Sequence, residues 1–491
     1  FFGGIILENR QTLSKTLKPH WVWAIALGSS IGWGAFVQPT NWMADAGPSG
    51  VMIGFLIGAL LMLVIAVSYG FLVRSFPVTG GEFAYAFISL GRTHAFISGW
   101  FLTLGYICIV ALNASAFALM FKFVFPAFIE RIPLFVVADW QVYGMEIIVA
   151  TLALAIFGYF NIKGSSFSGR MQFIFCSVMV LGVILLAFLV GAQPGAGFSN
   201  VTPQFPAEKT AFAAIIVIVA MAPWAYVGFD NIPQAAEEFN FSSKKAFSLI
   251  VLAIIFAAVL YCLMILATAM ATPWQSVVAE GHLWGTGTVI QDTLGVLGLV
   301  ILVTALTMGI FTGLNGFTIS SSRLLFAMSR AKIIPGAFSK LHPKHNTPYV
   351  SIIFTVAVAM VAPWFGREVL LWVVDMSSIG VTIAYFYTCF TAFYLFKWKE
   401  GEGFDPSKNI VAPFKKVLAA LGMMVSLVFL LLLLIPNSPA FLGFESRIAL
   451  IVWVVLGIIF YLFKRREIKS MNKEELNYLI LGRKEVEIKN Q

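Results

Sequence analysis

Three glycines fall in one run, Gly28-Ser29-Ser30-Ile31-Gly32-Trp33-Gly34, inside an apolar stretch between Trp21 and Met43. A second apolar stretch, 211–236, is interrupted by Pro223 and again by Gly228-Phe229-Asp230. Glycine and proline at this density break a helix and leave backbone N–H and C=O groups without helical partners. Lipid offers those groups no water, so unwound backbone at membrane depth persists only against protein or a cavity. The chemistry on offer is ion recognition: free amides and a half-helix N-terminus for an anion, free carbonyls for a cation. Two breaks in corresponding helices of two halves point to the central site of a secondary transporter. The competing reading is that the glycines serve only close helix packing.

Asp230 is an intramembrane carboxylate, costly to bury and so a functional suspect. Three roles are open to it: holding a cationic ligand, accepting a proton in coupling, or capping the amides freed by the break. Asp375, nearer the outer water, has the same options, with the structural one favoured. Glu237 and Glu238 are expected to pair with basic groups near the cytoplasmic end, at most as a conformational latch. No nucleophile–base pair or metal-ligand cluster stands among the apolar stretches, so an enzyme, a bound metal and a cofactor are not expected. Cys108, Cys176, Cys262 and Cys389 all fall within apolar stretches and read as packing residues. No histidine stands at mid-membrane to relay protons.

The elements that position these residues follow from composition. The chain has 491 residues, 59% apolar and 11% charged, with mean hydropathy +0.90. Soluble proteins carry about 25% charged residues, so this is an integral membrane protein. Spans of roughly 20 apolar residues are expected at 21–43, 48–73, 95–124, 144–162, 168–192, 211–236, 244–272, 294–328, 349–364, 368–396, 413–435 and 446–463. These long runs exclude a β-barrel, which shows short alternating segments. With both termini cytoplasmic, only Lys122, Arg131, Lys209, Arg367 and Arg447 of the 32 basic residues lie outside. That is the bias the positive-inside rule requires, and it accounts for the net charge of +9 with no nucleic-acid partner. No cleavable signal peptide is evident, and the first span can itself act as the targeting element.

The broken first and sixth spans suggest two five-span inverted repeats, 21–192 and 211–396. A cytoplasmic segment, 1–20, precedes them. Spans eleven and twelve, 413–463, follow a charged connector from Lys397 to Lys416, and a charge-alternating cytoplasmic tail, 464–491, reads as amphipathic. The stretch 273–293 is long enough to cap an outer vestibule.

At this point the motifs resemble a family. Gly28 to Phe36 with Pro39 and Ala46-Gly47-Pro48 is similar to the first-span signature of the amino acid–polyamine–organocation permeases. Pro77-Val-Thr-Gly-Gly-Glu-Phe-Ala-Tyr85 and Gly99-Trp100 resemble the loop before the third span and its start. Tyr226-Val-Gly-Phe-Asp230 with Ala236-Glu-Glu238 resembles the broken sixth span. Asn315-Gly316, Ser322-Arg323-Leu324, Leu341-His-Pro-Lys and Thr347-Pro348 fit the eighth span and its loop; Ser378-Ile-Gly380 with Ala384-Tyr385 fits the tenth. The resemblance covers residues 20–400 in order. It implies an all-α integral membrane fold of 12 transmembrane helices, a LeuT-like five-plus-five inverted repeat with broken helices 1 and 6. It also implies an amino-acid ligand whose carboxylate and ammonium the two breaks hold.

Mapped onto this chain, the expected substrate site comprises Ser29, Ser30, Ile31, Gly32, Trp33, Gly34, Trp224, Val227, Gly228, Phe229 and Asp230. Amides of Ile31 to Gly34 would take the carboxylate; carbonyls near Ser29 and Ser30 and around Trp224 to Val227 would take the ammonium. Trp33 stands where the family usually has serine, and either shrinks the pocket or points away. Trp224 falls at the family's large aromatic gate, with lipid or core packing as the alternative.

The coupling and gating candidates are Gly105, Met179, Asp230, Gly313, Phe317 and Asp375. Met179 replaces a lysine that many members carry nine residues after Arg170-Met171-Gln172, and its usual span-eight neighbours become Gly313 and Phe317, with no hydroxyl ligand for sodium. Gly105 replaces the span-three glutamate of cationic permeases. These departures lead to a sodium-independent carrier of neutral amino acids across the plasma membrane, by secondary active transport or exchange. The alternatives are a cationic amino-acid, amine or polyamine permease and, more distantly, a non-transporting sensor; a channel's selectivity filter is not evident. The partners expected are the small-molecule substrate and lipid. Residues 125–143 lack the cysteine through which heteromeric members bind a heavy subunit, so none is expected.

Overall fold

The computed structural model describes residues 10–367, 369–396, 413–470 and 472–482. Most of the expected connector, the first nine residues of the N-terminal segment and the end of the tail lie outside the described residues.

The first apolar stretch forms α1 (Pro19–Ile31), opened by a proline at its first position, where the missing N–H is harmless. Gly32 ends it at φ 48°, ψ −136°, a conformation that favours glycine. After two residues α2 (Gly34–Val37) resumes. Then comes α3 (Pro39–Ser75), bent at Gly47 ahead of Pro48, because proline removes a helical hydrogen bond and clashes with the preceding turn. Next stand α4 (Gly81–Leu90), α5 (Arg92–Val124) and α6 (Pro126–Ile129). Between α6 and the next helix the otherwise helical chain forms one small hairpin, β1 (Pro133–Val137) and β2 (Trp140–Tyr143), paired antiparallel. Ala138 and Asp139 turn between them, both at positive φ, the twist a two-residue hairpin turn needs.

The chain continues through α7 (Gly144–Ile162) and α8 (Ser165–Gly191). The second broken stretch is split into α9 (Ala211–Ala220), α10 (Ala222–Ala225) and α11 (Asn231–Gln234). It is followed by α12 (Ala246–Ala271), α13 (Trp274–Glu280) and α14 (Gly285–Arg330). The expected cap, 273–293, is thus α13 plus the first part of α14, which turns at Gly295; Trp284 of this stretch donates its indole N–H to Phe36 O of α2 at 2.9 Å. Last come α15 (Tyr349–Ala359), α16 (Val369–Leu395), α17 (Pro413–Leu434), α18 (Phe444–Ser470) and α19 (Lys473–Leu481).

Among the described residues, nine helices are long and apolar enough to cross a membrane; Ala211–Ala220 and Tyr349–Phe365 are shorter apolar helices. The most apolar window of α16 is 67% buried and that of α18 only 11%, so α16 lies inside the bundle and α18 at its rim. At the centre α1 packs on α8, α12 and α14, and α5 on α14 and α16.

Candidate substrate site and its buried carboxylates

The two breaks meet. A narrow cavity is lined by Ser29 to Gly34 of the first break, Ile109, Leu112 and Asn113 of α5, Trp224 and Val227 of the second, and Tyr261 of α12. Trp33 lines this cavity and a second, apolar one lined also by Phe123 and Trp284. Trp224 sets its edge against Trp33, centroids 6.2 Å apart, and a Cβ on Gly34 would come within 3.0 Å of it.

The backbone set differs from the expected one by about a residue. Ile31 still belongs to α1, and Gly32 N donates to Gly28 O at 3.0 Å. The amides of Trp33, Gly34 and Ala35 are the ones without a backbone acceptor among the described residues. On the carbonyl side, the Tyr261 hydroxyl lies 2.9 Å from Ser30 O and 3.0 Å from Ala225 O, and Ser30 Oγ lies 2.9 Å from Ala26 O and 3.1 Å from Tyr226 O. One tyrosine and one serine thus tie the two breaks together. Asn113 was not anticipated. Its amide donates to Ile109 O at 2.9 Å, while its buried Oδ1 has no partner among the described residues and faces Gly32. Its signal in the sequence was a lone carboxamide in an apolar span.

Gly228, Phe229 and Asp230 are off the cavity wall. Gly228 packs against Ser30 so closely that a Cβ would lie 2.6 Å from its N. The Phe229 ring stacks on Tyr385. Asp230 is fully buried and accepts from Gly228 N at 2.6 Å and from the Tyr106 hydroxyl at 2.8 Å, a cap on the break. Asp375 accepts from Gly443 N at 3.1 Å, just ahead of α18.

The expected corner of Met179, Gly313 and Phe317 does not assemble. Gly313 faces the Asn113 amide and Phe317 faces Tyr106, both on α5. The neighbouring residue Thr312 points instead at α1, its hydroxyl 2.9 Å from Gly28 O and 2.6 Å from Gly309 O. One residue turns a helix by about 100°, which is why adjacent Thr312 and Gly313 face different helices. From α8 the group that reaches α1 is Gln172, whose amide nitrogen lies 3.1 Å from Ala24 O and 3.2 Å from Thr312 O; Met179 is buried a turn or two further on. So the premise that this corner lacks a hydroxyl is corrected. Gly105 packs closely where α5 crosses α16: a Cβ there would lie 3.3 Å from Ser377 O, so any side chain would require α16 to give way.

Beside the cavity lie four largely buried carboxylates in two contrasting settings. Glu238 meets Arg323, both side chains 1% exposed, at 2.8 Å, and Ser165 bonds both partners. Glu237 accepts from Arg330 at 2.8 and 2.9 Å, from Arg10 at 2.5 Å and from Thr79 N at 3.1 Å. Arg10 also donates to Leu479 O and Ile480 O of α19, whose Leu476, Leu479 and Ile480 are buried; the described part of the tail is an amphipathic helix. Burial alone would raise the Glu237 carboxyl, but Arg330 and then Arg10 outweigh it and hold it below the ordinary 4.5. Glu82, which went unnoticed inside the motif of the loop, is fully buried. Gly80 (φ 93°) and Gly81 (φ 29°) give the tight turn that presses it on α11, where a Cβ on Gly81 would lie 2.9 Å from Pro233. It accepts from the Tyr69 hydroxyl at 2.9 Å and the Gln234 amide at 2.5 Å, and burial, then Asp230, push its carboxyl well above the ordinary range.

The family model for amino acid permeases matches residues 21–460. The chain is 26% identical over 485 residues to the branched-chain amino acid permease BcaP of Bacillus subtilis, covering 95% of this chain and 96% of that protein. It is 25% identical over 472 residues to the methylthioribose transporter of the same organism, covering 95% and 96%. To the chloroplastic cationic amino acid transporter 6 of Arabidopsis thaliana it is 25% identical over 395 residues, covering 77% and 64%. The chain is therefore a membrane transporter and not an enzyme, a member of the amino acid permease family within the amino acid–polyamine–organocation superfamily.

Proposed function

We propose that the chain carries neutral amino acids across the plasma membrane by alternating access, without sodium. The observation that carries this reading is the cavity between the two breaks. Its wall holds free amides at Trp33 and Gly34, backbone carbonyls and the Asn113 amide, with apolar Ile109, Leu112 and Val227 and no charged side chain. Backbone groups suit both charges of a zwitterion, and an uncharged wall suits an uncharged side chain. A cationic substrate would need an acidic partner, and Asp230 is turned to Gly228 and Tyr106 instead. Support for sodium independence is that the Gln172 amide already donates onto Ala24 O and the Thr312 hydroxyl stands 2.9 Å from Gly28 O, setting neutral groups in the place of a cation between α1, α8 and α14.

The architecture proposed with it is twelve spans, the five-span repeats 21–192 and 211–396, and both termini in the cytoplasm. Matched breaks at α1–α2 and α9–α11 and the one-sided Lys and Arg distribution support it. Residues 125–143 carry no cysteine, which supports action without a disulfide-linked heavy subunit. The test is counterflow of labelled leucine into proteoliposomes, with each other amino acid as competitor and choline replacing sodium. Neutral amino acids compete and choline changes nothing; movement of lysine or amines without leucine would transfer the site to the cationic class, and steep sodium dependence would sink the argument from Gln172 and Thr312.

A further inference from the structure

We infer that Glu82 is a proton-binding site, read out by Gln234 of α11, that couples the protonation of the loop before α5 to the movement of the broken sixth span. The inference rests on the transport reading above and adds the ion that the substrate cavity does not reveal.

The argument is one of partners. Glu82 is fully buried, and no lysine, arginine or histidine of the described residues lies within hydrogen-bond distance of it or of Asp230. The groups that face it are Tyr69 of α3, Tyr85 of its own helix, Tyr106 of α5, Asp230 and Gln234 of the second break, and Tyr385 of α16. All of the polar ones are neutral except Asp230, which carries the same sign. Asp230 is provided for as an anion by a backbone amide and a hydroxyl. Two unpaired negative charges in one dry region repel strongly, so such pairs retain a proton on one member. The tertiary donors to Glu82 are side chains that can turn, the Tyr69 hydroxyl and the Gln234 amide, whereas Asp230 is held by the fixed amide of Gly228.

Gln234 supplies the readout. Its nitrogen donates to Glu82 Oε2, whereas its Oε1, buried with the rest of a fully enclosed side chain, has no partner among the described residues. A carboxylate wants the NH2 of that amide; a carboxylic acid has an O–H to give and wants its C=O. A half-turn of the Gln234 amide converts one arrangement to the other. The Tyr385 hydroxyl is likewise buried and without a partner among the described residues, and its ring packs on Phe229 and Tyr69, so a second neutral group stands ready to follow the change. Because Gln234 ends the short helix that begins at the Asp230 cap, each state of Glu82 holds α11 against α4 through a different bond. When α11 swings away, Glu82 meets water and its proton leaves to that side as hydronium, with the carboxylate left behind.

Two measurements on the full-length protein test this. Infrared spectroscopy of the protein at neutral pH should show a buried carboxylic-acid carbonyl band that disappears in Glu82→Gln and survives in Asp230→Asn. This reading needs no transport, so it stands or falls separately from the carrier assignment. Leucine counterflow in proteoliposomes at equal pH on both sides should vary with pH in the native protein and lose that variation in Glu82→Gln. A carbonyl band lost in Asp230→Asn but kept in Glu82→Gln would overturn the proposal, as would the absence of any such band. Unaltered pH dependence of counterflow in Glu82→Gln would overturn the coupling role. Failure of native protein to exchange leucine, with the infrared result intact, would instead overturn the carrier reading.

Discussion

Glu237 and Glu238 lie within a few residues of Gln234, yet their setting is opposite to that of Glu82 and Asp230. The first pair is tied to three arginines from the N-terminal segment and α14; the second has only hydroxyl and amide donors. Burial is similar, so solvent access does not distinguish them. What differs is whether a fixed positive charge is built into the same pocket. A carboxylate with its guanidinium is a permanent anion and can act as a tie between segments. A carboxylate among neutral donors changes charge at modest cost, which is the property a coupling group needs and a tie must lack.

The largest effect should come from breaking the better-paired side. Arg323→Ala leaves Glu238 buried and alone, and should lower stability by about 3–5 kcal/mol, read as loss of the thermal unfolding midpoint in detergent. The double variant Arg323→Met, Glu238→Met should lose less than the single one, because no charge is then stranded. Equal loss in both would mean that packing, not charge, governs the pair.

Glu237→Gln should cost about 1–3 kcal/mol, and its pH dependence carries a sign. The native carboxyl is held below its ordinary 4.5, so its stabilisation is complete above that value and fades as pH falls toward the lowered one. The destabilisation by Glu237→Gln should therefore shrink in acid. Glu82 runs the other way. Its folded carboxyl is raised, so ionisation penalises the folded state and native stability falls as pH rises from the ordinary value toward the raised one. Glu82→Gln should then gain about 1 kcal/mol over native protein on the alkaline side and nothing in acid. Unfolding curves of both variants across pH that slope the same way would erase the contrast.

Smaller effects belong to neutral and exposed contacts. Asn113→Ala removes one acceptor facing Gly32 and should weaken leucine binding by about 0.5–1.5 kcal/mol, measured by ligand-induced thermal shift, with stability itself little changed. Asp375→Asn, which keeps an acceptor for Gly443 N, should stay within about 0.5 kcal/mol of native protein and leave counterflow intact. A large transport defect there would move Asp375 from the structural to the coupling side.

The two helix breaks, most of the crossing helices and the pairing of Glu237 and Glu238 with basic groups were all legible from residue types. Glycine, proline and apolar run length act locally, through backbone freedom and transfer into lipid, so a sequence displays them directly. Helix rotation is not local. Gly313 and Thr312 are adjacent in the chain, yet only packing turned the first to Asn113 and the second to Gly28 O, and that exchange corrected the expected sodium corner. The same holds for Asp230, whose three open roles were narrowed by the Gly228 amide it meets, and for Glu82, inconspicuous in a loop motif until Gly80 and Gly81 bring it against Gln234. By itself the sequence determined where the backbone opens in the membrane, because that depends on each residue's own conformational limits. Which side chains face one another across the opening was decided only by the tertiary structure, because it depends on the relative rotation of helices far apart in the chain.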